Sequence, residues 1–206
     1  MYARSNTVHA DPQRIDDGIA FARDEVMPAV QSMPGCMGLS MLCDRQSGRC
    51  IVTTSWDSEE SMSASREAVR AMRARAVEVM GAEFEVQEWE ITVLHRAHQA
   101  PEGACCRVTW TRGDPARMDE MVETFRTSLI PRLDDIPGFC SVSEMGDRQT
   151  GMSVLTATYD DRASLERSAE AVRGMREQFT GQMGLEVMDM AEFELAIHHL
   201  RVPEMA

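Results

Sequence analysis

The chain has 206 residues, of which 43% are hydrophobic, and carries 34 acidic against 21 basic residues, a formal net charge of −13. That length allows a sizeable core, and the acidic excess argues against a nucleic-acid backbone or an anionic membrane as partner. The sequence opens with no basic-then-apolar leader and contains no run of 18 apolar residues, so we expect a cytoplasmic protein.

Much of the sequence occurs twice. Asp-Arg-Gln-Ser-Gly at residues 44–48 returns as Asp-Arg-Gln-Thr-Gly at residues 147–151, a shift of 103 positions. Glu-Ala-Val-Arg-Ala-Met-Arg at residues 67–73 returns at the same shift, with one change, at residues 170–176. Because the flanks repeat at the same shift as the motif, the pattern indicates a tandem duplication of a small domain.

One inserted residue changes the shift to 104 near the end of each copy, where residues 88–95 match residues 192–199. We predict a first repeat at residues 1–98 and a second repeat at residues 105–206. Residues 99–104 form a short polar linker that contains proline and glycine.

Each repeat opens with a short strand, which begins at Tyr2 in the first copy and near Cys106 in the second. Asp11 and Pro12 follow, the aspartate as a helix cap and the proline in the first turn. Apolar residues then recur at helical spacing. Pro28 lies inside that pattern and removes a backbone donor, so we expect the last turns of this helix to bend or loosen.

Two strands at roughly residues 36–43 and 49–56 follow, joined by the Asp-Arg-Gln-Ser-Gly turn. A second helix is predicted from Asp57, which has capping-box spacing to Glu60, to about Met80. The second repeat keeps an aspartate cap at the equivalent position, Asp160, without the glutamate.

A long strand ends each copy, at residues 84–95 and 187–199. The order is therefore β-α-β-β-α-β twice, which predicts an α+β protein made of two ferredoxin-like repeats. Two helices cover only one face of a four-stranded sheet, so the other face needs a partner, and the second copy supplies one. We expect one closed intramolecular barrel, in which each long last strand bridges to the other half.

This arrangement predicts a monomeric pseudo-dimer of about 23 kDa, with at most weak association of whole chains. Each repeat alone, Met1 to His98 or Pro101 to Ala206, is expected to dimerise or aggregate through its uncovered sheet face.

The six cysteines form no Cys-x-x-Cys pair and are not shared between copies, so we predict reduced thiols and no metal site. Cys43 and Cys50 flank one hairpin turn and could face each other across it. The 17 methionines are interpreted as core fillers.

Two stretches of the first repeat carry a family resemblance: MPAVQSMPGCMGLSML at residues 27–42 and SWDSEESMSASREAV at residues 55–69. The chain resembles the antibiotic biosynthesis monooxygenase superfamily of dimeric α/β barrels. The resemblance implies a monooxygenase that needs no cofactor and acts on a small aromatic or quinol-like molecule. The alternative is a non-catalytic protein that binds a small ligand or a partner on the same barrel.

The haem-degrading branch of that superfamily is similar in two positions, Asn6 on the first strand and Trp56 at the end of the third. It also implies an iron-binding histidine on the second helix. This sequence has none there: the corresponding positions are Ser65, Arg66, Ser168 and Ala169. Haem degradation is therefore disfavoured, because the ordinary axial imidazole is missing.

The candidate site residues are the two positions that carry this resemblance and their equivalents in the second half. Asn6 is assigned as hydrogen-bond donor to an oxyanion and Trp56 as a pocket wall, the alternative for Trp56 being a staple between helix and sheet. Their partners in the second half are Trp110 and Tyr159, assigned to substrate binding.

Arginines recur in register on the second helix of each repeat, and they either bind an anionic ligand or form a solvated face with salt bridges. They are Arg70, Arg73, Arg173 and Arg176, of which Arg70 and Arg173 are the assigned ligand contacts. The five histidines lie at strand ends or in the linker and predict neither a metal site nor a catalytic relay.

Overall fold

The computed structural model describes residues 1–205. The first repeat forms, in chain order, β1 (Tyr2–His9), α1 (Ile15–Phe21), α2 (Met27–Gln31), β2 (Cys36–Cys43), β3 (Arg49–Trp56), α3 (Glu59–Ala64), α4 (Arg66–Met80) and β4 (Phe84–Arg96). The second repeat forms β5 (Cys105–Arg112), α5 (Met118–Thr124), α6 (Ile130–Asp134), β6 (Phe139–Asp147), β7 (Met152–Tyr159), α7 (Arg162–Arg167), α8 (Ala169–Met183) and β8 (Glu186–Leu200). The predicted β-α-β-β-α-β order is present twice, with every helix divided into two segments.

The first helix of each repeat loosens before its proline, as predicted. A π-helical turn at Ala22–Val26 separates α1 from α2, and Pro28 lies at the start of α2. The second repeat has the same turn at Phe125–Leu129. A proline ring clashes with the carbonyl group four residues earlier, and the wider turn relieves that clash.

The start of the second helix differs from the prediction. Ser58, not Asp57, is the cap: its hydroxyl oxygen accepts a hydrogen bond from the Ser61 amide at 3.1 Å, so the capping box with Glu60 does not form. In the second repeat Asp161, not Asp160, is the cap. The reason is that each predicted cap directly follows a strand, and its amide donates to a glycine carbonyl on the other side of the hairpin.

Eight antiparallel strands close into a barrel in the order β1, β3, β2, β8, β5, β7, β6, β4 and back to β1. The fold is therefore the predicted α+β barrel. Strand β2 pairs with the last part of β8, where Met41 lies opposite Ile197. Strand β6 pairs in the same way with the last part of β4, where Glu144 lies opposite Val93.

The long strands divide between two compact units. Unit 1 comprises Met1–Trp89 and Glu194–Val202, so it takes the end of β8. Unit 2 comprises Glu90–Phe193 and the residues from Pro203, so it takes the end of β4. The repeat boundaries at residues 98 and 104 remain a prediction about the sequence, whereas these units describe packing.

Each unit has its own apolar core, to which the exchanged strand contributes. Ile197 packs in unit 1 with Ile15, Val30, Leu39 and Met41. Val93, which holds the equivalent place on β4, packs in unit 2, where the core includes Phe125, Val142, Tyr159, Leu165 and Met183.

No disulfide links any of the six cysteines, all of which lie within residues 1–205, and Cys43 lies opposite Cys50 in the β2–β3 register. Several methionines, including Met41, Met80 and Met183, are buried as core residues. Among the described residues, no helix combines the length and apolar character needed to cross a membrane.

The exchange of strand ends predicts a stability effect that crosses the repeats. Ile197 belongs to the second repeat but is buried in the core of unit 1. We expect Ile197→Ala to lower the free energy of unfolding by about 2–4 kcal/mol, because it leaves a cavity.

Val187 on the same strand is 42% exposed, so Val187→Ala is the control and should change stability by less than about 0.5 kcal/mol. Urea unfolding followed by circular dichroism measures both variants. Equal small effects would contradict the assignment of the β8 end to the core of unit 1.

Candidate functional site

Each unit contains a cleft between its own helices and its own strands. Cleft A, in unit 1, has a volume of about 590 Å³, and cleft B, in unit 2, of about 680 Å³, both measured with the solvent-filled mouth included. Cleft A is lined by residues of β1, β2, β3, α1, α4 and the first π-helical turn, among them Asn6, Val8, Gly18, Ala22, Met41, Val52, Thr54, Arg73 and Ala76. Cleft B uses the corresponding elements of the second repeat, with Thr109, Thr111, Met121, Phe125, Glu144, Ser153, Leu155, Arg176 and Phe179.

The two clefts are equivalent in the sequence, since most lining positions are related by the shift of 103. Arg73 in cleft A corresponds to Arg176 in cleft B. Small residues of cleft A are replaced by larger ones in cleft B: Gly18 by Met121, Ala22 by Phe125 and Ala76 by Phe179. The duplication therefore gave two pockets of common origin whose walls have since diverged.

Cleft A has one polar pair in a lining that is apolar apart from Thr54. The Arg73 Nε–H donates to the Asn6 Oδ1 at 2.9 Å, while the Asn6 amide donates a longer bond of 3.4 Å to the Val52 carbonyl. Asn6 is buried, at 7% exposure. Within residues 1–205, no acceptor is hydrogen-bonded to the Nη groups of Arg73 and no carboxylate forms an ion pair with it, so its charge is available to a ligand.

The environment of Arg73 disfavours its own charge. Burial is the main cause that lowers the pKa of Arg73, and the nearby cations Arg4 and Arg70 lower it further, against the opposing effect of Glu88. A half-buried guanidinium of this kind gains from an anion or a strong oxygen acceptor placed next to it.

Cleft B contains a carboxyl group where cleft A has Met41. Glu144 is 3% exposed and lines the cleft. The Thr92 hydroxyl donates to its Oε2, while its Oε1 is buried without a hydrogen-bond partner in the described part of the chain. Burial raises the pKa of Glu144, although the Thr92 and Ser153 hydroxyls and the cations Arg126 and Arg148 oppose the shift.

The two aromatic residues at the strand ends do not line the clefts. Trp56 is completely buried, and its indole N–H donates to the Thr54 hydroxyl at 3.2 Å, so Trp56 acts on cleft A through Thr54. Tyr159 is also completely buried and packs edge-to-face on Phe139. Neither residue is among those that line cleft A or cleft B, so these positions favour the staple interpretation.

The remaining predicted ligand contacts also lie away from the clefts. Trp110 is the neighbour of Thr109 and Thr111, which line cleft B, and successive residues of a strand point to opposite faces. Arg70 has a side chain that is 77% exposed and faces Glu67 at 4.0 Å, and Arg173 is exposed. Of the predicted site residues, the structure therefore places Asn6 alone in a cleft lining.

Sequence analysis missed a buried arginine network that both repeats share. The Arg4 side chain donates to the Ser65 hydroxyl at 2.8 Å, to the Met62 carbonyl at 2.7 Å and to Glu88 at 2.8 Å. In the second repeat Arg107 makes the same set of bonds to Ser168, Leu165 and Glu192.

These networks explain the division of the second helix. Ser65 lies between α3 and α4, and its hydroxyl also donates to the Met62 carbonyl, which competes with regular helix bonding. Ser65 and Ser168 are also positions at which the haem-degrading resemblance requires histidine. Neither cleft is lined by a histidine or cysteine among the described residues, so an imidazole ligand for haem iron is lacking there too.

No family model matches the chain. It is 45% identical over 205 residues to Rv2557 of Mycobacterium tuberculosis H37Rv, an "uncharacterized protein", covering 100% of this chain and 92% of the relative. It is also 45% identical over 206 residues to the "uncharacterized protein" Rv2558 of the same strain, covering 100% of this chain and 87% of that one.

Solved structures share the fold across the whole chain. A "putative monooxygenase" from Lactobacillus acidophilus NCFM superposes with a TM-score of 0.71 at 9% identity, over 97% of this chain and 96% of that one. An "anthrone oxidase-like protein" gives 0.64 at 14% identity, over 96% and 92%. A ferredoxin-fold protein "related to antibiotic biosynthesis monooxygenases" from Listeria monocytogenes 4b F2365 gives 0.54 at 5% identity, over 95% of each chain. At these identities the likeness shows the fold alone, which is the predicted α/β barrel type.

The raised pKa of Glu144 predicts a pH-dependent stability. Because the folded-state pKa lies above the unfolded-state pKa, ionisation destabilises the fold as the pH rises between the two values. Glu144→Gln should therefore increase the free energy of unfolding near pH 8, and the gain should vanish below about pH 4, where both states are protonated.

Urea unfolding at both pH values measures this effect, with the exposed Glu123→Gln as control. A Glu144→Gln variant that is equally altered at pH 4 and pH 8 would contradict the role of ionisation.

Proposed function

The chain belongs to the same family as the M. tuberculosis proteins Rv2557 and Rv2558, and we propose that it is a cofactor-independent monooxygenase whose site is cleft A. The substrate class is a small aromatic molecule with an acidic hydroxyl or an activated methylene group, of the anthrone or quinol type. The barrel type it shares with monooxygenase-like structures supports this reading as an analogy of fold.

The observation that carries the proposal is the Asn6–Arg73 pair in an apolar cleft. An aromatic ring fits the apolar lining of cleft A, and its oxygen finds two kinds of donor, the Arg73 Nη groups and an Asn6 amide hydrogen. Both donors stabilise an anionic substrate oxygen more strongly than a neutral one. The cleft therefore favours the ionised substrate over the neutral substrate.

Ionisation is the step that makes a reaction with dioxygen possible without a cofactor. Loss of a proton from an anthrone-type methylene gives a delocalised anion, which Arg73 and Asn6 hold at its oxygen. No base lines cleft A among the described residues, so the proton passes to water. Dioxygen then adds to the carbon, and the resulting hydroperoxide loses water, so that one methylene and one O₂ yield one carbonyl and one H₂O.

The sequence-based assignments are retained in part by this proposal. Asn6 keeps its role as a donor to the oxyanion, and Trp56 becomes a positioning residue that holds Thr54 in the lining of cleft A. Arg73 replaces Arg70 as the cationic ligand contact. Trp110, Tyr159 and Arg173 are not part of the proposed site.

A second candidate function is the binding of the same ligand without turnover. The specific observation in its favour is the lack of a base among the described residues that line cleft A. In that case Arg73 and Asn6 recognise an aromatic anion, and the protein acts as a carrier or sensor. Binding and oxygen uptake, measured together, separate the two candidates.

We expect the full chain to consume oxygen with anthrone as substrate, in the absence of added metal or cofactor. Arg73→Met should lower kcat/KM at least about tenfold, because it removes a charged hydrogen bond to the developing anion. Arg70→Met is the matched control, since Arg70 lies one helical turn away and is exposed; it should change kcat/KM less than about twofold.

An oxygen electrode measures the rate, and fluorescence titration with 1-naphthoate reports anion binding. Binding that depends on Arg73 without any oxygen uptake would favour the non-catalytic candidate. Equal losses in the Arg73 and Arg70 variants would contradict cleft A as the site.

A further inference from the structure

Three different side chains meet at one end of the sheet in unit 2, outside both clefts. The Nε2 of His98 lies 2.7 Å from the Oδ1 of Asp160, and the Sγ of Cys140 lies 3.2 Å from the same oxygen. The nitrogen, sulfur and carboxylate atoms of the three residues are all within 4.8 Å of one another. Cys140 is buried, whereas His98 and Asp160 have side chains that are 47% and 38% exposed.

The backbone fixes this meeting point from three directions. Cys140 occupies the bulge of β6, where the register with β7 shifts between Phe139 and Ser141. The amides of Ala97 and His98 both donate to the Cys140 carbonyl, at 2.8 and 3.2 Å, so the segment after β4 is held against the bulge. A bulge re-aims the side chain it carries, which here brings the thiol of Cys140 toward residues after β4 and β7.

A backbone hydrogen bond also fixes the position of Asp160. Its amide donates to the Gly138 carbonyl at 2.8 Å, two residues before Cys140. Cys140 is therefore part of β6, and the backbone amides of His98 and Asp160 are hydrogen-bonded to Cys140 and to Gly138, the residue just before β6.

Unit 1 builds the same backbone without the same donors. Its bulge carries Met37 where the second repeat has Cys140, and the Arg201 amide donates to the Met37 carbonyl at 2.8 Å, as the Ala97 amide does to Cys140. The residue after Arg201 is Val202, in the place of His98. Of the three residues, only Asp160 has an equivalent of the same type there, which is Asp57. The backbone thus forms without these donors, so the thiol and the imidazole are specific to unit 2.

We propose that His98, Cys140 and Asp160 form a zinc site with three protein ligands and a water molecule in the fourth position. A thiolate, an imidazole and a carboxylate are all ordinary ligands of Zn²⁺, and a tetrahedral ion accepts one of each. Ligand atoms of such an ion lie roughly 3.3–3.8 Å apart, so the side chains need to move by only about 1 Å. The exposed side of the cluster, between His98 and Asp160, gives access for the ion and the water.

The bound ion would join the chain that follows β4 to β6 and to the end of β7. Because zinc binds the folded cluster and not the separated side chains of the unfolded chain, it should raise the melting temperature. This inference is independent of the function proposed for cleft A, since none of the three residues lines that cleft.

The test uses the full chain, reduced and freed of metal with a chelator that is then removed. Calorimetric titration with Zn²⁺ should give one ion per chain, and Co²⁺ should give the near-ultraviolet charge-transfer band of a cobalt–thiolate bond. His98→Val and Cys140→Met, which install the equivalent residues of unit 1, should each weaken Zn²⁺ binding at least about tenfold, and Cys140→Met should abolish the cobalt–thiolate band.

Cys36→Ser is the control and should bind Zn²⁺ like the unaltered chain. Should Cys140→Met fail to fold, as judged by circular dichroism, His98→Val decides the outcome, because His98 is a surface residue. Absence of a saturable one-to-one Zn²⁺ complex in the unaltered chain, or unchanged affinity in His98→Val, would overturn the proposal.

Discussion

The pairing of β2 with the end of β8, and of β6 with the end of β4, is the interaction on which the rest of the structure depends. Backbone amide and carbonyl groups of a strand must find partners, and an open sheet edge exposes a row of unpaired groups. In this chain the repeat that contains β2 does not contain its outer neighbour, which is the last strand of the other repeat. The same holds for β6 and β4. Closure of the barrel therefore requires both copies, and duplication on one chain supplies them at a fixed ratio.

Closure with two copies produces two clefts of common origin, which can then change separately. The buried arginine networks around Arg4 and Arg107 are the same in both repeats, in keeping with a structural role. The lining residues are not the same. Cleft A has the cationic Arg73 held by Asn6, and cleft B has a buried carboxyl group, Glu144, at the place of a methionine. One chain thus presents two pockets that differ in their polar groups on one kind of scaffold.

Much of the fold could be predicted, because the repeat provides two independent readings of each element. The strand bounds at residues 36–43 and 49–56 agree with the structure, and so does the loosening before Pro28. The helix caps could not be predicted in the same way. Asp57 and Ser58 are both good capping residues, and the sequence does not show that the Asp57 amide is hydrogen-bonded to the Gly35 carbonyl, before the helix begins.

The candidate site was less predictable, since it depends on which way side chains point. Arg70 and Arg73 recur in the same register, and the sequence does not tell which of them faces the sheet. The aromatics that end both third strands predict a pocket wall at Trp56, but the complete burial of its side chain is a tertiary feature. Glu144 carries a usable signal that was missed: a carboxyl group stands where the other repeat has the buried Met41.

The central claim is that each repeat needs the last strand of the other, and the most direct measurement is fragment complementation. Residues 1–98 and 99–206 are produced separately and together, and their mass and stability are measured by sedimentation and urea unfolding. Because β4 is the counterpart of β8, residues 1–98 alone should self-associate, while the two fragments together should form a one-to-one complex with the stability of a closed barrel. A fragment 1–98 that stays a folded monomer, as stable as the full chain, would contradict the account.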